Sequence, residues 1–334
     1  LEPKGFYGFL TEAQITALQV IESIAVGISD IFIESTQTKV NVYVKIKDTD
    51  VFSKFEIVHT INNTDNTGQN GYCNIWGLYS DNTGMYRKIG DLLEKIPDTT
   101  LLVGAENEFT INFEGMNDFT GGYHGDERID LTDTDYVEFV VDGKPYTIDE
   151  LISLGSIGCD TFSYRQKSTM YASYVYNNEH KKIAEHFKET LFEDGGYTTR
   201  NFIKMEMSEL DIDNIKVLTA FTGLVCPHKN IAKTIYADNG QKYTATNPSV
   251  TVPLVDNINS FSRKVYMVNG VCSCVIDSKL INTSVDDWKE PYLSVQIMDR
   301  ANDSKYYSYL KSRITINDGD FLATECSVKF NIRN

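Results

Sequence analysis

No apolar run in this sequence approaches the roughly 20 residues that cross a bilayer as a helix, so membrane insertion is not expected. The opening LEPKGFYGFL lacks a basic stretch followed by an apolar block, and no signal peptide is visible. A start on Leu1 reads as a segment of something longer. Basic residues are outnumbered, 31 Lys and Arg against 47 Asp and Glu, for a formal charge of −16. That argues against nucleic acid as a partner, because phosphate binding needs a cationic face. Proline is scarce at 7 residues, and no Pro- or Ser-rich linker or fixed-period repeat divides the chain.

Missing motifs narrow the chemistry. There is no G-x-S-x-G of a serine hydrolase and no G-x-x-x-x-G-K-[ST] phosphate loop. The histidines, at 59, 124, 180, 186 and 228, form no H-x-H or H-E-x-x-H, so zinc is not expected. Of Cys73, Cys159, Cys226, Cys272, Cys274 and Cys326, only Cys272 and Cys274 are close, as C-S-C. That spacing is neither a zinc knuckle nor a redox C-x-x-C, and the six read as reduced, buried thiols. No cofactor is expected. The oxygen-rich stretches NNTDNTGQNG (62–71) and DLTDTD (130–135) leave a structural calcium open, although neither fits an EF-hand loop.

What is present is alternation of period two. TKVNVYVKIKD (38–48) and FSKFEIVHTI (52–61) read as strands, and CNIWGLYSDNTGMY (73–86) as strand interrupted by an Asn-Thr-Gly turn. Asp142-Gly143, Asn269-Gly270 and Asp318-Gly319 mark further turns between strands. Helical spacing is confined to TEAQITALQVIESI (11–24) and KIGDLLEKIP (88–97). Residues 177–192 suit helix or strand; strand-like neighbours favour strand, with Ala184, His186, Lys188 and Thr190 on one face. The expected fold is all-β: a large antiparallel β-sandwich of jelly-roll type with one or two short helices. An N-terminal helical or connecting segment (1–30) precedes the sandwich (31–334).

NDFTGGYHGDERID (117–130) packs glycines around polar and aromatic residues. Gly121, Gly122 and Gly125 permit close backbone approach, so Tyr123, His124, Glu127 and Arg128 read as one wall of a ligand cleft. Tyr164, Arg165, Lys188, Tyr197, Arg200 and Asn201 add basic and aromatic groups downstream, and Tyr306 and Tyr307 lie near the end. Twenty tyrosines against two tryptophans supply flat faces with polar tips, which suit sugar rings. These residue types match eliminative cleavage of a uronate polysaccharide. Arg165, Arg200 or Asn201 would neutralise the substrate carboxylate, His124 or His186 would remove the adjacent proton, and Tyr306 or Tyr307 would protonate the leaving oxygen. Hydrolysis would instead need a carboxylate pair, for which Asp126, Glu127, Glu106, Glu108 and Glu114 are available.

FEGMNDFTGGYHGDE, IAEHFKETLFEDGGYTTRN and IDNIKVLTAFTGLV together resemble jelly-roll domains of phage tail fibres and tailspikes and the related polysaccharide lyases. The resemblance spans roughly residues 100 to 330. It implies an extracellular or virion-associated depolymerase acting on an acidic polysaccharide, with homotrimeric assembly. It places the base or its partner at His124 or His186, the neutraliser at Arg200 or Asn201, and the acid at Tyr306 or Tyr307. The competing expectation is a non-catalytic carbohydrate- or receptor-binding module that uses the same surface.

Overall fold

The fold is taken from a computed structural model that describes residues 29–62, 73–90, 92–103, 109–115, 119–131, 134–172, 180–210, 212–246, 250–255 and 260–333. The expected helix at 11–24 and the turn-rich segment at 63–72 lie outside these residues.

Alternation of apolar and polar residues builds the first layer. β1 (Ile31–Thr36), β2 (Lys39–Lys45), β3 (Val51–Asn62) and β4 (Cys73–Ile89) form an antiparallel meander, and β5 (Leu92–Lys95) folds back on β4. After β6 (Thr110–Phe113) come β7 (Glu127–Arg128), β8 (Tyr136–Val141) and β9 (Lys144–Tyr146). Helix α1 (Ile148–Ser153) and β10 (Ile157–Cys159) then lead into β11 (Phe162–Tyr171), β12 (Lys182–Glu193) and β13 (Gly196–Met205). The remainder comprises β14 (Asn214–Val225), β15 (Thr234–Ala237), β16 (Lys242–Thr244), β17 (Val250–Val255), β18 (Ser262–Val268), β19 (Cys272–Thr283), β20 (Leu293–Asp299), β21 (Ser304–Leu310), β22 (Ile314–Asn317) and β23 (Phe321–Ile332).

Among the described residues these strands form a 17-stranded and a 6-stranded sheet. The large sheet runs from β10 through β1, β2 and β3 to β4. It crosses to β11 by a short parallel pairing of β4 with β7. It then continues β12, β13, β23, β19, β18, β15 and β16. One edge of β11 is shared between β8 and β7. In the small sheet, β17, β20, β21 and β14 are neighbours, and β6 and β22 both pair with β14.

Layers pack on one face of the central strands β11, β12, β13, β23 and β19. Phe55 of β3 sits 5.2 Å from Tyr197, 5.9 Å from Phe330 and 6.0 Å from Phe192, joining the first meander to the central strands. The small sheet closes the same face further along, where Ile111, Val217, Leu293 and Leu310 pack with Met170, Ile203 and Met205. Gly223 marks a close approach, since a Cβ there would lie 2.3 Å from Ser278 Oγ. The all-β sandwich expected from alternation is what the chain adopts.

Two expectations change. Residues 88–90 and 92–97 are no helix. A turn at Gly90 (φ 62°) reverses the chain into β5, and Leu93 finds apolar partners against Phe32, Tyr43 and Phe52. Asn82-Thr83-Gly84 is no turn but an irregularity within β4, where the register with β3 jumps from Lys54↔Gly84 to Glu56↔Tyr79. Thr83 Oγ1 there accepts the Leu102 N–H at 3.0 Å. The one α-helix among the described residues, α1, opens with a capping box: Glu150 N–H donates to the Thr147 hydroxyl, and the Glu150 carboxylate accepts the Thr147 N–H. Residues 182–193 are strand, as their neighbours suggested.

Candidate functional site

Gly121 and Gly125 serve backbone packing. A Cβ on Gly121 (φ 98°) would lie 2.7 Å from Phe109 O, and one on Gly125 would lie 2.2 Å from Thr120 Cα. This close packing turns the chain so that Glu127 points inward. Its carboxylate accepts the Gly122 N–H and the Ser168 hydroxyl, the latter at 2.5 Å, and contacts His186 Nδ1 at 2.8 Å. His186 Nε2 lies 2.9 Å from Asn201 Oδ1. Both ring nitrogens therefore have an oxygen partner within hydrogen-bond distance. Burial acts to raise the Glu127 carboxyl, yet His186, Lys188 and Ser168 outweigh it and hold the group at about 2 against an ordinary 4.5.

Lys188 and Gln166 close the edge of β4. Lys188 Nζ donates to Trp76 O and Trp76 N–H donates to Gln166 Oε1, both at 2.9 Å. Neither β5 nor β7 pairs with β4 at Trp76, so these side chains satisfy backbone groups that the sheet leaves over. A polar belt thus runs through the interior between two apolar clusters.

The opposite face of the central strands is open to solvent. Glu138, Arg165, Glu189, Arg200, Glu325 and Lys279 face one another on consecutive neighbouring strands, with signs alternating. Arg165 Nε meets Glu189 at 2.7 Å, Arg200 Nε meets Glu325 at 2.9 Å, and Lys279 Nζ meets Glu325 at 3.3 Å. One step along the strands lies a mainly apolar row of Tyr136, Lys167, Phe187, Phe202 and Ala323, with Ile281 in a bulge of β19 beside it. Phe202 is 37% exposed and stacks on Phe321 with centroids 5.6 Å apart. Charged and apolar rows line a groove of about 620 Å³.

Further along this face, Asp126 draws His180 and Arg128 together. His180 Nδ1 lies 2.5 Å from Asp126 Oδ2, and Arg128 Nη2 lies 2.8 Å from Oδ1. The Arg128 guanidinium rests 4.9 Å over the Tyr171 ring. Burial raises the Tyr171 phenol and Arg128 offsets part of that, leaving it above its ordinary value.

The structure therefore divides the residues singled out from sequence. Arg165, Arg200 and Arg128 lie on the open face. Glu127, His186, Lys188 and Asn201 lie on the inner face; the His186 side chain is 2% exposed and that of Arg200 60%. Tyr164, Tyr197 and Tyr306 are core residues, and burial pushes the Tyr306 phenol far above its ordinary range. Tyr307 lies on the other side of the small sheet, against Phe221 at 5.3 Å. Tyr123 and His124 belong to a single 3-10 turn, Gly122–His124, and the His124 side chain is outside the described residues. His186, Arg200 and Tyr306 thus do not meet in one cleft. Sequence reasoning passed over Phe187, Phe202 and Glu189 as site residues, although Phe187 and Glu189 share one face of a visibly alternating strand and Phe202 lies directly opposite Phe187 on its partner. It also passed over His180, whose partner Asp126 is remote in sequence. No protein-family model matches the chain, and no curated protein matches it either.

Proposed function

We propose that this chain is a carbohydrate-binding module whose ligand lies on the open face of the central strands. The observation that supports the reading is the groove itself, where solvent-reaching aromatic faces run beside a ladder of Arg–Glu pairs. Aromatic rings present flat apolar surface to the C–H faces of a sugar, and the Arg–Glu pairs present donors and acceptors to its hydroxyls. Phe202→Ala removes the central ring. Loss of such an anchor costs about 2 kcal/mol or more, so retention on an immobilised glycan should weaken roughly 30-fold. Val271→Ala, which truncates an exposed residue away from the groove, should leave retention unchanged. Equal retention by Phe202→Ala and the parent would sink the reading.

A second reading, eliminative cleavage of a uronate chain, is favoured by one observation: Arg128, His180 and Tyr171 gather around Asp126. They are the neutraliser, base and acid types this chemistry needs, on the same face as the groove. On this reading, absorbance near 232 nm rises when the protein is mixed with polygalacturonate or alginate, and His180→Ala abolishes the rise. A flat trace with the parent protein rejects cleavage and leaves the binding reading standing.

A further inference from the structure

We infer that the groove takes an uncharged, extended glycan that runs across the strands, along the ladder; the inference rests on the binding reading above. Charge carries the first part. Arg165 is paired with Glu189, and Arg200 and Lys279 with Glu325, while Glu138 stands opposite Arg165. Acids and bases balance along the ladder. On the neighbouring row, Lys167 lies 2.7 Å from Glu185 and is matched in turn. A carboxylated or sulfated polymer would have to compete with carboxylates fixed on adjacent strands, and the chain as a whole carries −16. A hydroxyl needs no such exchange. It can accept from a guanidinium and donate to a carboxylate while the pair stays together.

Direction follows from the register. Glu189↔Arg200 and Arg200↔Glu325 are directly opposed residues, so the ladder crosses the strands at right angles. Its rungs are spaced at about 4.8 Å, comparable with the advance of one pyranose along an extended chain. The mainly apolar row keeps the same spacing beside it, with Lys167 between Tyr136 and Phe187. Phe187↔Phe202 and Phe202↔Ala323 are again opposed, and Ala323 leaves a depression between Phe202 and Ile281 that a sugar ring would fill. One face of each sugar would thus rest on the apolar row, with its hydroxyl edge turned to the ladder.

The test uses the full 334-residue chain on immobilised neutral polysaccharides (glucans, mannans, xylans, galactans) and acidic ones (polygalacturonate, alginate, hyaluronan, chondroitin sulfate), each at about 50 and about 500 mM NaCl. The expected result is retention by at least one neutral polymer, with affinity changing less than about two-fold between the salts. Glu325→Gln takes the shared carboxylate from Arg200 and Lys279 and should add salt-sensitive retention of polygalacturonate. Retention of acidic polymers alone by the parent, weakening more than about ten-fold in high salt, would overturn the neutral-ligand inference but keep the binding reading. No retention on any polymer would overturn both.

Discussion

Glu127→Gln is expected to lower the stability of the fold by about 3–5 kcal/mol at pH 7, the range for breaking a buried ion pair from one side. The variant keeps the shape and removes the charge that His186 and Lys188 face, leaving the buried Lys188 ammonium without that anion. It also disturbs the anchor of the loop, because the same carboxylate holds the Gly122 N–H and the Ser168 hydroxyl. The pH dependence has a definite sign. The carboxyl is held at about 2 in the folded chain against 4.5 ordinarily, so its contribution is complete above about pH 4.5 and is lost as the pH falls towards 2. The shift corresponds to about 3 kcal/mol. Urea unfolding of parent and variant should therefore differ widely at pH 7 and converge near pH 2 to 3. A difference below about 1 kcal/mol at pH 7, or one that stays constant with pH, would contradict this account of the pair.

Phe55→Ala should cost about as much by a different route. Phe55 is fully buried and touches Phe192, Tyr197 and Phe330, which come from β12, β13 and β23. Its removal opens a cavity where the first meander meets the central strands, and Phe→Ala changes in such settings cost about 3–5 kcal/mol. The one titratable partner among these, the Tyr197 phenol, is pushed well above its ordinary value by burial, so the loss should not depend on pH between about 3 and 7. Urea midpoints at both pH values measure it. A cost below about 1 kcal/mol would mean that this contact does not hold the layers together.

Much of the fold was legible from alternation and turn chemistry. Asp142-Gly143 and Asp194-Gly195 close tight hairpins with positive φ at both central residues, as their composition requires. The second hairpin also held the key to the site. Once Glu193 pairs with Gly196, Arg200 must stand opposite Glu189, on the face that His186 does not share. Sequence reasoning grouped His186 with Arg200 by residue type and overlooked that parity. The inward turn of His186, Lys188, Asn201 and Gln166 was harder to see. Polar residues alternating with Phe187 and Phe202 read as the wet face, and only the packing of β4 over them supplies buried partners at Trp76. Likewise, the glycines of residues 121–125 looked like a device for display. Their contacts with Phe109 O and Thr120 Cα show that they let backbones touch, and the residue they direct, Glu127, goes into the interior. The capping box of α1, Thr147 to Glu150, was readable and lay hidden behind the strand pattern just before it.

The most direct test of the central claim is a map of backbone amide shifts on titration of a retained polysaccharide fragment into the protein. The largest changes are expected on β12, β13 and β23 around Phe187, Glu189, Arg200, Phe202 and Ala323, with small changes at Tyr307 and on the small sheet. Changes centred on the small sheet or on the first meander, with the groove unmoved, would contradict that claim.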